Sequence, residues 1–400
     1  MEPELLIKVA CSKSPKNDIG ITLSQQFEMP NKFAYDYDYR MAKREFTFFN
    51  PTKLVFCPDY LESLQCHVGT RDYGIVTYPD AFFSTAVDQI QGILGKAVFV
   101  ATDITPNPDF SYFNTLDEER RRDLAKAEAL IALGGGSVID TAKVFAAGLE
   151  DLPDIKDLLN FASQSQVLRS KDIIAVPTTA GTGSEVTSWA TVWDSESGRK
   201  FSLSHPDLYP KVAILDPSLT YKLPPRITLA SGLDALSHAL ESVWNINANP
   251  ISSNYAVRAS RIIIETLPSL MNNPENAQLR QMMLRAAVFS GLAFSNTKTA
   301  LAHNISYPVS LNHNLEHGIA CSFTLPLVMR RAIGSDTVCD ETLREIFGND
   351  LHNGADRLEE FLCDLAISTE PEDYGIPATT FKTYLDDALK GERGRNFIAA

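Results

Sequence analysis

Four side chains in this sequence have the types and spacing of a metal site: Asp234, His238, His303 and His317. Asp234 and His238 are four apart, which on a helix puts them on one face, one turn apart. His303 and His317 follow in a second histidine-rich stretch, and four of the seven histidines lie at 238 or between 303 and 317. Three neutral imidazoles and a carboxylate make an N3O set, suited to Fe(II) or Zn(II); Mg and Ca prefer all-oxygen shells. With an open position, such a site acts as a Lewis acid on a carbonyl or hydroxyl oxygen. A single helical histidine is more often a core or surface residue, and the isolated His67, His205 and His352 are read that way. Glu241, one turn after His238, either supports a ligand or is simply solvated.

Two glycine-rich segments upstream supply a second kind of chemistry. The run Gly134-Gly135-Gly136-Ser137-Val138-Ile139-Asp140-Thr141-Ala142-Lys143 follows a strand pattern and opens a helical one. Glycines let the backbone approach a ligand, and free N–H groups at a helix start bind phosphate oxygens. The run is neither GxGxxG, since Ile139 holds the third glycine position, nor a P-loop, which needs GK[ST]. Pro177-Thr178-Thr179-Ala180-Gly181-Thr182-Gly183-Ser184-Glu185-Val186-Thr187 follows the next strong strand pattern. Alone it reads as a Ser/Thr-rich loop; beside the first run, at the carboxyl end of another strand, it gains a ligand-binding reading.

The elements that would carry these groups divide the chain. Short apolar, β-prone runs at 53–56, 74–78, 97–101, 129–133, 173–177 and 212–215 alternate with helical stretches at 86–94, 116–126 and 138–149. Such alternation predicts βαβ units and a mostly parallel sheet. After Asp216-Pro217 only helical periodicity remains, at 228–244, 252–267, 277–296, 343–347, 355–366 and 379–389. The expected organisation is an extension over 1–45, an α/β unit over 46–217 and an all-helical unit over 218–400.

Bulk properties narrow the function. At 400 residues the chain is long enough for two domains. A net charge of -14 argues against nucleic-acid binding, because affinity for phosphates comes from Lys and Arg. An anionic small substrate would need a local basic pocket. Six scattered cysteines without a CxxC pair point to free thiols in a reducing compartment. No long apolar run predicts a membrane span, and the acidic start does not resemble a signal peptide. The expectation is a cytoplasmic protein acting on a small molecule.

Together these motifs resemble the iron-dependent (group III) alcohol dehydrogenase family, over about residues 49–390. The resemblance rests on the two loops, on Asp234, His238, His303 and His317 in type and spacing, and on Phe49-Asn50-Pro51-Thr52 and Pro106-Asn107-Pro108. It implies a Rossmann-like domain followed by a helical domain, the architecture shared with dehydroquinate synthase. It implies reversible hydride transfer between a nicotinamide and an alcohol/aldehyde pair, with Fe(II) or Zn(II) polarising the substrate oxygen. By the same resemblance Gly135, Gly136, Ser137 and Asp140 would belong to the pyrophosphate loop. Thr178, Thr179, Thr182 and Thr187 would line the ribose and nicotinamide, and Lys200 would contact the cofactor.

Two positions depart from the family pattern. Many members carry a histidine four residues after the ligand corresponding to His303, where it moves a proton; here the residue is Tyr307. A phenol, with an ordinary pKa of about 10, is a slow shuttle at neutral pH, so His313, a water or the cofactor ribose are alternatives. NAD-preferring members often place an acid just after the second strand; here it is Tyr78. NADH and NADPH both stay open, with a lean to NADPH.

Within the family, the segments 295–303, 306–308, 318–326 and 392–397 resemble the phosphonoacetaldehyde reductase branch. That implies reduction of phosphonoacetaldehyde to 2-hydroxyethylphosphonate. Lys298, five residues before His303, would grip the phosphonate, and Arg393 and Arg395 would fold over the cleft. Alternatives are another small neutral or anionic aldehyde, or a dehydroquinate-synthase-like or glycerol-phosphate enzyme, which use fewer histidine ligands. A metal-dependent hydrolase whose glycine loops hold a nucleotide and a non-enzymatic remnant are the more distant readings. The oligomeric state, a homodimer included, is not fixed by the sequence.

Overall fold

The computed structural model describes residues 45–400 apart from 153, 165–167 and 169. The expected N-terminal extension over 1–45 therefore lies almost wholly outside the described residues.

Six strands form one parallel sheet: β1 (Lys53–Phe56), β2 (Tyr73–Thr77), β3 (Phe99–Ala101), β4 (Ala129–Gly134), β5 (Asp172–Pro177) and, after an intervening hairpin, β8 (Val212–Leu215). Their order is β1-β8-β5-β4-β2-β3. The central strands read as unbroken apolar runs because both faces are covered. Leu130, Ala132 and Ala175 pack into one core, while Ile131, Leu133, Ile174 and Val176 pack into another. Alternate residues along a strand point to opposite faces, so each run serves two layers.

The hairpin is β6 (Trp189–Asp194) paired antiparallel with β7 (Arg199–Ser204). The sequence reading did not place it. Beyond β8 every regular element is helical. The long helices Pro225–Val243, Pro250–Asn272 and Ala277–Thr297 pack on one another around the largest core, which holds Leu233, Leu236, Leu240, Ile263, Leu267, Leu284 and Val288. The architecture is thus the α/β unit plus helical unit that the alternation and its end predict. No helix among the described residues is long and apolar enough to cross a membrane.

Candidate active site

The helix Pro225–Val243 carries Asp234 and His238 on one buried face. His303 sits in the first turn of the helix Leu301–His313, and His317 opens the short helix His317–Ser322. Gly318 lets that short helix in: a Cβ there would fall on the Ala230 carbonyl and 3.2 Å from Asp234 Cβ. The backbone contact carries the neighbouring His317 to the aspartate. Asp234 Oδ1 then lies 3.4 Å from His303 Nε2, 3.8 Å from His317 Nε2 and 3.8 Å from His238 Nδ1.

Asp234 Oδ1, His238 Nδ1 and His303 Nε2 are buried and have no hydrogen-bond partner in the structure. Orphaned polar atoms in a core are costly; three gathered around the Asp234 carboxylate fit a divalent ion. Burial opposes the Asp234 charge, but His238, His317 and His303 outweigh it and hold the carboxyl well below its ordinary range. Burial also drives His238 down to about 3, so its imidazole stays neutral, the form that ligates. Its ring is stacked between Phe294, at 3.9 Å, and His303, at 4.4 Å. Glu241, with no exposed surface, accepts from the backbone N–H groups of Ala300, Ala302 and His303 and lies 2.7 Å from His303 Nδ1. A proton on Nδ1 leaves Nε2 as the lone-pair nitrogen facing Asp234.

One group at this centre has no counterpart in the sequence reading. Cys321 is buried, and its Sγ lies 3.7 and 3.8 Å from the two ring nitrogens of His317. Burial works against its thiolate, but His303 and His317 prevail and bring the thiol to about 7. The signal was in the sequence: Cys321 follows His317 by four, the same spacing that pairs Asp234 with His238.

The glycine loops leave neighbouring strands side by side. Gly134 at the end of β4 pairs with Pro177 at the end of β5, and Thr178 N–H donates to the Gly134 carbonyl at 3.0 Å. Gly135 and Gly136 open the helix Gly136–Ala146 with no side-chain cap, so the helix N-terminus keeps its N–H groups for a ligand. The loops touch: a Cβ on Gly136 would lie 2.7 Å from Thr182 Oγ1, and one on Gly135 would lie 3.3 Å from both Thr179 and the Tyr78 hydroxyl. Ser137, Thr179 and Thr182 are partly exposed there. Thr178 and Thr187 are buried.

Asp140 and Thr187 face inward. The Asp140 carboxylate accepts from Ser184 Oγ at 2.6 Å and from the Thr191 N–H at 2.8 Å. Lys143, fully buried, donates to Ser184, Thr187 and the Trp189 carbonyl. These residues tie the first loop to the second.

The remaining residues fall in three places. Tyr307, one turn after His303, stacks parallel to His317 at 6.5 Å, and its buried hydroxyl has no partner. Lys200 on β7 and Arg393 near the C-terminus lie over the Tyr307 ring, at 4.4 and 4.9 Å from its centroid. His313 sits ten residues beyond His303, about 15 Å along the helix, and its Nε2 lies 3.3 Å from the Tyr384 hydroxyl. Lys298 is exposed and caps the helix Ala277–Thr297 with φ of 64°; among the described residues its side chain makes no hydrogen bond or ion pair with the ligand set. The structure therefore brings Tyr307 to the metal-ligand cluster and leaves His313 along the helix from it.

Comparison with known proteins agrees with this geometry. Residues 51–217 match the family described as iron-containing alcohol dehydrogenase, and residues 228–399 match the C-terminal part of the Fe-containing alcohol dehydrogenase family. Long-chain-alcohol dehydrogenase 1 of Geobacillus thermodenitrificans is 32% identical over 343 residues, 82% of this chain and 85% of that protein. Phosphonoacetaldehyde reductase of Streptomyces viridochromogenes is 36% identical over 210 residues, 51% of this chain and 53% of that protein. The crystal structure of sulfoacetaldehyde reductase from Bifidobacterium kashiwanohense in complex with NAD+ superposes with a TM-score of 0.78 at 29% identity, covering 88% of this chain and 94% of that one. The chain belongs to the iron-containing alcohol dehydrogenase family and is an NAD-dependent alcohol oxidoreductase.

Proposed function

We propose that the protein reduces a small anionic aldehyde, phosphonoacetaldehyde first among them, to its alcohol. The ion, Fe(II) or Zn(II), is held by Asp234, His238, His303 and His317. NADH or NADPH lies on Gly135, Gly136, Ser137, Thr179 and Thr182, with residues 46–217 as the cofactor unit and 218–400 as the metal unit. The setting is cytoplasmic.

The observation that carries the substrate class is the pair Lys200 and Arg393. Both are half-buried beside Tyr307, next to the ligand cluster, and neither is in ion-pair contact with a carboxylate among the described residues. Burial, with Arg393 adding to it, pushes the Lys200 ammonium down to about 7. Two cations over one ring, neither of them in an ion pair, are costly without an anion nearby, and a phosphonate dianion fits that charge. In a chain of net charge -14 this is the local basic pocket that such a substrate requires.

When bound, the metal would supply Lewis-acid polarisation of a carbonyl oxygen and the nicotinamide would supply the hydride. The chain's own groups do the rest. Glu241 fixes the orientation of His303. Lys200 and Arg393 hold the acid end of the substrate and so aim its aldehyde at the cluster. The Tyr307 hydroxyl, buried one turn after His303 without a partner, would pass a proton to the product oxygen. Phe294, flat on His238, helps keep water out.

The test is purified protein with Fe(II) or Zn(II), NADH or NADPH, and three aldehydes: phosphonoacetaldehyde, sulfoacetaldehyde and propanal. The expected result is kcat/KM for an anionic aldehyde at least about tenfold above that for propanal, the order one charge-assisted contact supplies. Equal values for all three would remove the substrate class and leave the oxidoreductase.

A further inference from the structure

We propose that Phe397 is a positioning residue for substrate capture: it anchors the segment 391–398 on the helical unit and so fixes the Arg393 guanidinium over Tyr307. This rests on the anionic-aldehyde reading above, in which Arg393 holds the acid end. Arg393 has little of its own to hold it. Among the described residues its side chain makes no ion pair and lies 4.9 Å from the Tyr307 ring centroid, and a cation over a ring is a weak tether. The backbone on either side must place it.

On one side, two glycines press the turn after the helix Ala378–Lys390 against its neighbours. A Cβ on Gly391 would collide with the Asn304 side-chain amide, and one on Gly394 with the Ala388 carbonyl. On the other side, Phe397 is 1% exposed and sits in the core that holds Trp244 and Leu301. It pairs with Asn245 in an isolated antiparallel bridge. The Ile246 N–H donates to the Asn396 carbonyl at 2.8 Å, and the Ile398 N–H donates to the Trp244 carbonyl at 3.1 Å. The Asn396 side chain donates to the Thr299 carbonyl at 2.9 Å. These bonds tie the segment to the end of the helix Pro225–Val243 and to the turn before the helix Leu301–His313, which carries Tyr307. Arg393 thus rests between a glycine-tight turn and a buried aromatic, and its seat is fixed to the element that carries the ring beneath it. Without the anchor, an arriving anion would have to order the segment itself, at a loss of affinity.

Kinetics of the holoenzyme with sulfoacetaldehyde and propanal test this, beside the calorimetric Kd of 2-hydroxyethanesulfonate, the alcohol product, which reads binding without turnover. Phe397→Ala should raise the sulfoacetaldehyde KM and the product Kd about tenfold, the share of one charge-assisted contact, while kcat and the propanal KM move by less than about twofold. Phe397→Leu, which still fills the core with an apolar side chain, should recover most of the loss. In an Arg393→Ala background, Phe397→Ala should add less than about twofold, because residues acting through one contact are not additive. A full increment on top of Arg393→Ala, or equal KM rises for both aldehydes, overturns the positioning role. An Arg393→Ala variant with an unchanged sulfoacetaldehyde KM overturns the substrate reading, and the role with it. Should Phe397→Ala fail to fold, Asn396→Ala removes only the bond to the Thr299 carbonyl and should raise the sulfoacetaldehyde KM about threefold; no rise is the adverse result.

Discussion

Glu241 is bound to His303 through both its backbone and its ring: one carboxylate oxygen lies 2.7 Å from Nδ1, and the pair accepts the His303 N–H as well. The same carboxylate takes the N–H groups of Ala300 and Ala302, which open the helix Leu301–His313. That helix start lacks a side-chain cap of its own, so Glu241 does a cap's work and presets a ligand at once.

Replacing Glu241 by Gln keeps the volume but puts an NH2 against backbone donors. Metal affinity should drop about 10–100-fold, the usual loss when a ligand's supporting partner goes. Competition with a chelator measures it. Unchanged affinity would mean that the helix start, not the carboxylate, sets the His303 ring.

Gly318 makes a sharper prediction. A methyl group there meets the Ala230 carbonyl and the Asp234 side chain, so Gly318→Ala must move the helix that carries His317. The expected outcome is loss of bound metal out of proportion to lost stability. Metal content beside a thermal melt separates the two. A variant that holds its full metal complement would show that the short helix can shift without dragging His317.

These two residues show where the sequence was legible and where it stopped. Asp234, His238, His303 and His317 stood out because ligand types are rare and their spacing is local. The strand at 212–215 falls where the apolar run puts it, since a run buried on both faces needs no alternation. The β6–β7 hairpin escaped because its residues mix Trp, Thr, Arg, Lys and Ser, half of them partly exposed. Missing it also hid the position of Lys200 over Tyr307. Asp140 looked like a loop residue on the cofactor side, yet it faces Ser184 and Thr191, contacts 44 and 51 residues away that no local pattern reveals.

Lys200 makes substrate capture depend on pH. Its ammonium loses a proton near 7, so below that value the pocket holds two cations and above it one. An anion between them stabilises the charged form, and binding must then take up a proton. The KM for sulfoacetaldehyde, whose charge is fixed, should rise between about pH 6 and 8, by no more than about tenfold per pH unit. The KM for propanal should stay flat. Lys200→Arg should flatten the sulfoacetaldehyde profile; a profile that keeps its slope in that variant places the titrating group elsewhere.

Lys143 is a fully buried cation held by Ser184, Thr187 and the Trp189 carbonyl, 3.9 Å from Asp140. Lys143→Met leaves those acceptors dry and the Asp140 carboxylate without its counter-charge. Breaking a buried pair from one side costs about 3–5 kcal/mol, and chemical denaturation should show a loss of that order. Cofactor affinity should fall with it, because the second glycine loop is anchored through the same bonds. A loss under about 1 kcal/mol would mean that water replaces the ammonium.

Lys298 separates two ways of holding the substrate. Its φ of 64° with ψ of 174° lies in a region that glycine occupies freely and other residues only under strain, about 1–3 kcal/mol. Its side chain is exposed, while its backbone carbonyl accepts from Asn245. Lys298→Gly relieves that strain and removes the ammonium in one step. Stability should rise by about 1 kcal/mol, the relief being offset in part by the added freedom of the unfolded chain. If Lys200 and Arg393 hold the acid end, the KM for phosphonoacetaldehyde should not change by more than about twofold, since an exposed charge is screened. A tenfold rise in that KM, with the propanal KM unchanged, would return the grip to Lys298.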